Sequence, residues 1–275
     1  MTLRFAYNTN GAANHRLGDA VAIIADAGYD GVALTLDHHH LDPMEEGWEW
    51  RAEALARDLS ARGLGCVIET GARYLLDPRI KHEPTLLSPA PEGRNRRVAF
   101  LRRAVDIGAI LGAEAVSFWA GIPRPGVDPA QARTWLREGV ARVVEYAAAH
   151  GVTAALEPEP GMLVETVDDW SALDLAGLSL ALDLGHLLVT GERDPAAAIE
   201  EFAAHLGTVA IEDMARGVHV HLPFGEGDMD IPRCLDALER IGFARLVCVE
   251  LSRESHRADA MIPQSARWLR ECRPA

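Results

Sequence analysis

Short apolar and β-branched runs recur along the whole chain, and an amphipathic stretch follows each of them. The runs are almost continuously apolar instead of alternating with polar residues, which is typical of parallel strands covered on both faces. The eight strand candidates are Leu3–Thr9, Gly31–Leu36, Gly65–Thr70, Ala115–Trp119, Thr153–Glu157, Leu178–Asp183, Thr208–Glu212 and Leu246–Glu250. The pattern therefore predicts an α/β protein with a parallel sheet.

The stretches between these runs carry the start and stop signals of helices. Glycine follows the end of several of them, as at Gly28 and Gly112, where it supplies the left-handed residue that closes a helix. Asp194-Pro195 places an N-cap before a proline at the first helical position. The expected helices are Ala20–Ala27, Trp50–Ala61, Val98–Leu111, one within 129–150, one from Asp194, Ile231–Ile241 and His256–Arg270.

Eight strands that alternate with helices over 275 residues, without a Ser/Gly-rich linker, predict a single (β/α)8 TIM barrel over residues 1–275. A doubly wound sheet is the alternative, but Asn8-Thr9-Asn10-Gly11 lacks its glycine fingerprint. The segment Tyr74–Asn95 is rich in proline and charge and too long for a bare connection. We expect it to form a lid or a wall of a site.

The charge of the chain bears on its partners. A net charge of −14 argues against a nucleic-acid partner. The densest basic run is interpreted as a solvated helix face; it comprises Arg94, Arg96, Arg97, Arg102 and Arg103.

Targeting signals and cysteine usage bear on location. No apolar stretch is long enough to span a bilayer, and the N-terminus has no signal-peptide pattern, so we expect a cytoplasmic protein without a membrane partner. The four scattered cysteines are expected to be reduced and mostly buried.

Acidic residues end three of the predicted strands at matching positions. Glu157, Asp183 and Glu250 each follow an apolar run, and the carboxyl ends of barrel strands converge on one mouth. Converging carboxylates repel one another unless a cation lies among them. His219 and His221 alternate, so an extended segment would place both on one face. Carboxylates with histidines predict one divalent ion, Mn²⁺ or Zn²⁺ ahead of Mg²⁺ or Co²⁺.

Five segments resemble the xylose-isomerase-like superfamily, which includes sugar epimerases, inosose-type dehydratases and the endonuclease IV repair enzymes. They are Leu156–Glu159, Leu182–His186, Ile211–Asp213, His219–Gly227 and Val249–Leu251. The resemblance covers nearly the whole chain in order. It implies a polyhydroxylated small-molecule substrate and, since members often dimerise, a possible homodimer.

The resemblance also implies roles for individual residues. Glu157, Asp183 and Glu250 match the metal-binding acids of the family, and in its epimerases the two glutamates shuttle a proton on opposite faces of the substrate. His186 matches a histidine that binds substrate in epimerases and a further metal in the repair enzymes. His219 and His221 match the pair that joins this second metal, and we include both among the predicted metal ligands.

The chain departs from the family pattern at strand seven. The family usually has a His-x-x-Asp pattern there, and Ala210 occupies the position of that histidine. A water, the substrate, His219 or His221 could fill the missing ligand position. Strands three and four end in Glu69 and Trp119 instead of the histidines of the repair enzymes, so a trinuclear site is not expected.

The constellation predicts a metal-dependent isomerase or epimerase, or a dehydratase, acting on a sugar, sugar phosphate or cyclitol. Glu157 and Glu250 would remove and return a proton beside a carbonyl, through a metal-stabilised enediolate. The alternatives are a metal-dependent hydrolase with endonuclease IV-like phosphodiesterase chemistry, favoured by the three histidines, and a non-catalytic ligand-binding barrel, favoured by Ala210.

Four further residues are candidates to contact the substrate. His186, Arg73 and Glu69 would hold its hydroxyls, and Trp119 would form an apolar wall. Arg73 is equally consistent with a structural ion pair, and Trp119 with a packed aromatic residue.

Overall fold

The computed structural model describes residues 2–272, and its parallel strands close into a barrel. In chain order the strands are β1 (Arg4–Asn8), β2 (Gly31–Thr35), β3 (Gly65–Glu69), β4 (Val116–Trp119), β5 (Ala154–Glu157), β6 (Ser179–Asp183), β7 (Leu206–Ile211), β8 (Asp213–Ala215), β9 (Val218–Leu222) and β10 (Leu246–Val249). The barrel order is β1-β10-β7-β6-β5-β4-β3-β2, and β8 and β9 form a separate antiparallel hairpin. The predicted (β/α)8 barrel is confirmed, and the doubly wound sheet is excluded.

Helices cover the outside of this barrel. They are α1 (Leu17–Asp26), α2 (Trp48–Ala61), α3 (Pro91–Leu111), α4 (Pro129–Ala149), α5 (Val167–Ser171), α6 (Leu184–Thr190), α7 (Pro195–Glu201), α8 (Ile231–Arg240) and α9 (Ala258–Glu271). The N-cap of α7 is as predicted, since the Asp194 side chain accepts a hydrogen bond from the Ala197 N–H. The short helices α5 and α6 were not predicted.

Two expectations about the segment before and within α3 were wrong. The helix begins at Pro91, with proline in its first turn, so the loop from Tyr74 ends at Ala90 and not at Asn95. Arg97 does not lie on a solvated face, because it is fully buried. Its guanidinium lies 4.3 Å from the ring centroid of Trp119 and donates a hydrogen bond of 3.1 Å to the Thr70 carbonyl.

Alternation along the strands separates an apolar barrel floor from a polar mouth. Successive residues of a strand point to opposite faces, so residues two apart share the barrel interior. The floor is a buried cluster of Ala6, Ala33, Val67, Leu246 and Cys248. The residues two positions after four members of this cluster, on the same strands or just past their ends, are polar. They are Asn8, Thr35, Glu69 and Glu250. The periodicity that fills the floor therefore directs polar side chains to the carboxyl ends.

Close approach at the amino ends of the strands requires a glycine. A Cβ at Gly207 on β7 would lie 2.8 Å from the Cβ of Ser179 and 2.9 Å from that of Ala155. Any larger residue there would push β5, β6 and β7 apart.

The cysteines and the helices agree with the compositional expectations as far as the structure tests them. Cys66, Cys234 and Cys248 are buried free thiols, and Cys272 is a partly exposed one. Within residues 2–272, no helix combines the length and the apolar character that crossing a bilayer requires.

Candidate active site

A cavity of about 600 Å³ opens at the carboxyl ends of the strands, where barrel enzymes place their chemistry. Its acidic and imidazole lining residues are Glu69, Glu157, Glu159, Glu250, His82, His186, His219 and His221. Three cationic side chains, Arg73, Lys81 and Arg253, also line it. Arg73 and Lys81 come from the loop between β3 and α3, which therefore forms a wall of the cavity as predicted.

Asp183 ends β6 and also caps α6. Its Oδ1 accepts a hydrogen bond of 3.0 Å from the His186 N–H, which explains the Asp-x-x-His spacing, because an N-cap bonds the N–H three residues later. Its Oδ2 is buried and has no hydrogen-bond partner. One oxygen of Asp183 thus builds the helix, and the other is available to a ligand.

His186 is held in one orientation by its backbone contact. Its Nδ1 lies 3.0 Å from the Pro158 carbonyl, which only accepts, so Nδ1 carries a proton. Nε2 lies 3.1 Å from His219 Nε2, 3.8 Å from Glu159 Oε2 and 3.5 Å from Asp183 Oδ2. The backbone contact therefore directs the Nε2 edge of the ring towards the acids of the site.

The β8–β9 hairpin brings two histidines over the mouth. His219 and His221 alternate on β9 as predicted, and their ring centroids are 5.6 Å apart. Asp213, at the start of the hairpin, accepts hydrogen bonds from the backbone N–H groups of Met214, Gly225 and Met229 at 3.0, 2.9 and 3.0 Å. Asp213 thus anchors the loop that follows the hairpin.

Glu212 is a site residue that the sequence interpretation missed. It follows β7 directly, its side chain is fully buried, and both carboxylate oxygens lack a hydrogen-bond partner. Its Oε2 lies 3.8 Å from His221 Nδ1, which is also buried without a hydrogen bond. The signal was present, because Glu212 is a fourth acid at the end of a predicted strand. Glu159, two residues after Glu157, was missed in the same way.

Ala210 lies where the departure from the family pattern was expected to matter. It pairs in register with Asp183 on one side and with Cys248 on the other. The methyl group of Ala210 offers no ligand atom, so the β7 residue in register with Asp183 cannot contribute to a metal site.

Burial and mutual repulsion shift the ionisation of the acids in the absence of a cation. Burial, followed by the charge of Glu159, raises the pKa of Glu157 well above its ordinary value. Burial and then the charge of Glu250 raise the pKa of Glu69 to about 8. Burial and then Asp183 raise the pKa of Glu212 well above its usual range.

The imidazoles partly compensate for this charge. Burial opposes ionisation of Asp183, but His186 and His221 outweigh it and lower the pKa of that carboxyl. Burial likewise opposes protonation of His221, but contact with Glu212 and the charge of Glu250 raise its pKa to about 10. Such a cluster demands positive charge, from a protonated histidine or from a bound cation.

Three groups of ligand atoms lie within 4.8 Å of one another. They are His186 with His219 and His221, Glu157 with Glu159 and His186, and Asp183 with Glu212 and His221. The donor set of carboxylate oxygen and imidazole nitrogen suits a first-row divalent ion, and the unpaired buried oxygens of Asp183 and Glu212 fit such an ion. The predicted trio of Glu157, Asp183 and Glu250 around one ion stays a prediction.

The remaining predicted residues have identifiable contacts. Glu250 lines the cavity and accepts a hydrogen bond of 2.9 Å from Asn10 Nδ2. Arg73 lines the cavity and also pairs with Asp37 at 3.2 Å. Its position is therefore consistent with both predicted roles, a substrate contact and a structural ion pair. Trp119 lines the cavity while its face stacks on Arg97.

Comparison with known proteins identifies a matching family model and sequence relatives. The family model described as xylose isomerase-like TIM barrel matches residues 21–272. The L-ribulose-5-phosphate 3-epimerase UlaE of Salmonella heidelberg (strain SL476) is 22% identical over 259 residues, which are 91% of this chain and 87% of that protein.

Solved structures share the fold at low sequence identity. A structure of L-ribulose 3-epimerase superposes with a TM-score of 0.78 at 20% identity, covering 98% of this chain and 94% of the other. A crystal structure of IolI protein with a bound zinc atom gives a TM-score of 0.74 at 16% identity, covering 98% and 96%. The sequence relative is thus named as a sugar epimerase, and the likeness to the solved structures concerns the barrel fold.

Proposed function

Since the chain belongs to the xylose isomerase-like TIM barrel family, we propose that it is a metal-dependent isomerase or epimerase of a sugar, sugar phosphate or cyclitol. One observation carries the proposal. Two glutamates on separate strands, Glu157 and Glu250, line the same cavity beside a buried cluster of acids and histidines. The relatedness to sugar epimerases supports the same reaction class.

The acids and histidines of the mouth are the proposed metal ligands. Glu157, Asp183 and Glu250 are the proposed core, with His219 and His221 beside them. When bound there, a divalent ion polarises the carbonyl of the substrate and stabilises the negative charge that proton removal creates. Mn²⁺ and Zn²⁺ are the proposed ions, because they accept mixed oxygen and nitrogen ligands.

Glu157 and Glu250 are the proposed acid and base. In the barrel, β6 and β7 lie between β5, which ends at Glu157, and β10, which precedes Glu250, so the two carboxylates approach the cavity from separate sides. A substrate between them loses a C–H proton to one carboxylate and receives a proton from the other. Return to the same carbon from the opposite face inverts that stereocentre, and return to the neighbouring carbon, with a hydroxyl proton moving between the two oxygens, shifts the carbonyl. Asn10 donates to Glu250 and orients its carboxylate.

His186, Glu69, Arg73 and Trp119 are the proposed substrate contacts. The His186 ring lines the cavity and can hold a substrate hydroxyl, and Glu69 accepts from or donates to hydroxyls according to its protonation. The two exposed cations of the lining, Lys81 and Arg253, lie towards solvent and suit a phosphate at the outer end of a substrate. The substrate panel must therefore contain both free and phosphorylated sugars.

Solvent deuterium exchange tests the proposal. Metal-loaded protein is incubated in D2O with ketoses, ketose phosphates and cyclitols, and label at each substrate carbon is followed by NMR. We expect label beside the carbonyl, lost in Glu157→Gln and Glu250→Gln and retained in Glu226→Gln, which changes an exposed glutamate outside the cavity lining. Turnover without label at any carbon would refute the proposed reaction. A product lighter by one water would identify a dehydratase.

A metal-dependent hydrolase is the second candidate. One observation favours it: His186, His219 and His221 form a group of their own that offers three nitrogen ligands to a second ion. Two ions per chain in the purified protein, with cleavage of a phosphodiester and no proton exchange, would support this alternative over the isomerase.

A further inference from the structure

We propose that Glu212 is a metal ligand of this chain and that, together with Asp183 and His221, it replaces the ligand that β7 lacks at Ala210. The inference rests on the divalent-metal site of the proposed function and names the residues that hold the ion most closely. It assigns a chemical role to a carboxylate that lies beneath the cavity lining instead of within it.

The Glu212 carboxylate is costly to bury in its present surroundings. The side chain is fully buried, and neither oxygen has a hydrogen-bond partner. An ionised carboxylate removed from water without a partner costs several kcal/mol or more, so such groups take up a proton, are paired or coordinate metals. Glu212, Asp183 and His221 each offer one ligand atom, and these three atoms lie within 4.8 Å of one another. Asp183 Oδ2 and His221 Nδ1 are also buried without a hydrogen bond. Three neighbouring side chains therefore each hold a buried atom that no hydrogen bond satisfies.

The spacing of these atoms is also relevant to a shared ion. His221 Nδ1 and Glu212 Oε2 are 3.8 Å apart, which is too long for a hydrogen bond. Two atoms that each lie about 2.1 Å from a shared ion are separated by roughly 3 to 4 Å, depending on the ligand–metal–ligand angle. The observed separation therefore suits two ligands of one ion better than a hydrogen bond.

The segment that carries Asp183 leaves room for the Glu212 side chain. Ala210 and Glu212 are two residues apart, so Glu212 is the next residue on the Ala210 side of the chain. Gly185, in the first turn of α6, leaves room for it, because a Cβ at Gly185 would lie 2.4 Å from Glu212 Oε1. The segment that carries Asp183 thus also accommodates the carboxylate of Glu212.

Metal titration of chelator-treated protein with Mn²⁺ and Zn²⁺ tests the inference, by calorimetry and by metal analysis after gel filtration. We expect wild-type protein to bind at Asp183, Glu212 and His221, and Glu212→Gln to lose at least tenfold in affinity. Glu226→Gln, the same change at an exposed position, serves as the matched control and should bind as wild type does. Ala210→His combined with Glu212→Gln should recover affinity, because it returns a ligand to β7.

The outcomes separate the inference from its alternative. Equal affinity of wild type and Glu212→Gln overturns it. Absence of binding to wild-type protein also overturns it, since a protonated His221 then balances the acids alone. If Glu212→Gln does not fold, Glu212→Asp is measured instead. It keeps the charge but withdraws the carboxylate by one methylene, and unchanged affinity in it overturns the inference too.

The same experiments keep the inference distinct from the proposed reaction. If metal affinity depends on Glu212 but no sugar takes up deuterium, the role of Glu212 as a ligand is supported and the proposed isomerase activity is refuted. If a sugar takes up deuterium but metal affinity does not depend on Glu212, the proposed activity is supported and the role of Glu212 as a ligand is refuted.

Discussion

Gly185→Ala offers a test of the packing around Glu212 that is independent of any substrate. Gly185 is the second residue of α6, and its missing Cβ is what allows Glu212 and Met214 to approach. A Cβ there would lie 2.4 Å from Glu212 Oε1 and 2.8 Å from both Cε and Cγ of Met214. Ordinary contacts begin at 3.4 Å, so the carboxylate must move by about 1 Å.

The chain contains a matched control for this change. Gly18 is also the second residue of a helix, α1, and a Cβ there meets nothing within 4 Å. Both substitutions gain similar helix propensity, so the difference between them isolates the steric cost. Overpacking of a well-packed site typically costs about 1–3 kcal/mol. For a chain of this size about 1 kcal/mol corresponds to roughly 2–4 °C in Tm. Gly185→Ala should therefore unfold about 2–12 °C below Gly18→Ala.

Thermal unfolding followed by circular dichroism, on chelator-treated protein, measures this difference. The same two variants, titrated with Mn²⁺, should also differ, since displacement of the Glu212 carboxylate weakens the proposed site while Gly18→Ala leaves it intact. Equal unfolding temperatures for both variants would show that the space beside Gly185 is not needed, and the packing argument would fail.

Three further predictions concern the acids of the mouth. Glu157→Gln and Glu250→Gln should each lower the rate of substrate deuterium exchange by about 10²–10⁴-fold, the usual contribution of a general acid or base, and an effect below fivefold would count against that role. Because the pKa of Glu69 is raised to about 8, the folded metal-free protein binds more protons than the unfolded chain between the ordinary carboxyl pKa and that value. Its stability should therefore fall as pH rises through this window, by at most about 1.4 kcal/mol per unit for this group, and Glu69→Gln should flatten the slope in urea titrations. Addition of metal at a hundredfold excess over Kd should raise the free energy of unfolding by about 2.7 kcal/mol, and an unchanged Tm on addition of metal would contradict a site confined to the folded state.

The barrel itself was predictable because its strands and their ends carry separate signals. Each strand is an apolar run, and the residue that ends it is polar, as at Glu157 on β5 and Asp183 on β6. Hydrophobic periodicity identifies strands of this kind and helices as long as α4. The helix α6, of only 7 residues, spans too few turns for a periodic pattern to emerge.

The details that the sequence did not predict depend on contacts between distant segments. Arg97 belongs to a basic run that is typical of a solvated surface, yet its guanidinium is buried against Trp119 from another part of the chain. Glu212 was missed because the family pattern places its metal ligand at position 210. Its burial depends on the residues that pack around it, among them Gly185, and no local pattern reveals that packing.

The β8–β9 hairpin makes the chemistry of the mouth sensitive to the length of one turn. Arg216 and Gly217 connect the two strands at an exposed position, and Gly217 has a φ of 70°. A strand has a period of two, so a shift by one residue exchanges its faces. Insertion or deletion of one amino acid in this turn would present Val218 and Val220 in place of the two imidazoles, without altering any barrel strand. A relative with a turn of different length would therefore have the same barrel with an apolar rim and a different affinity for metal ions.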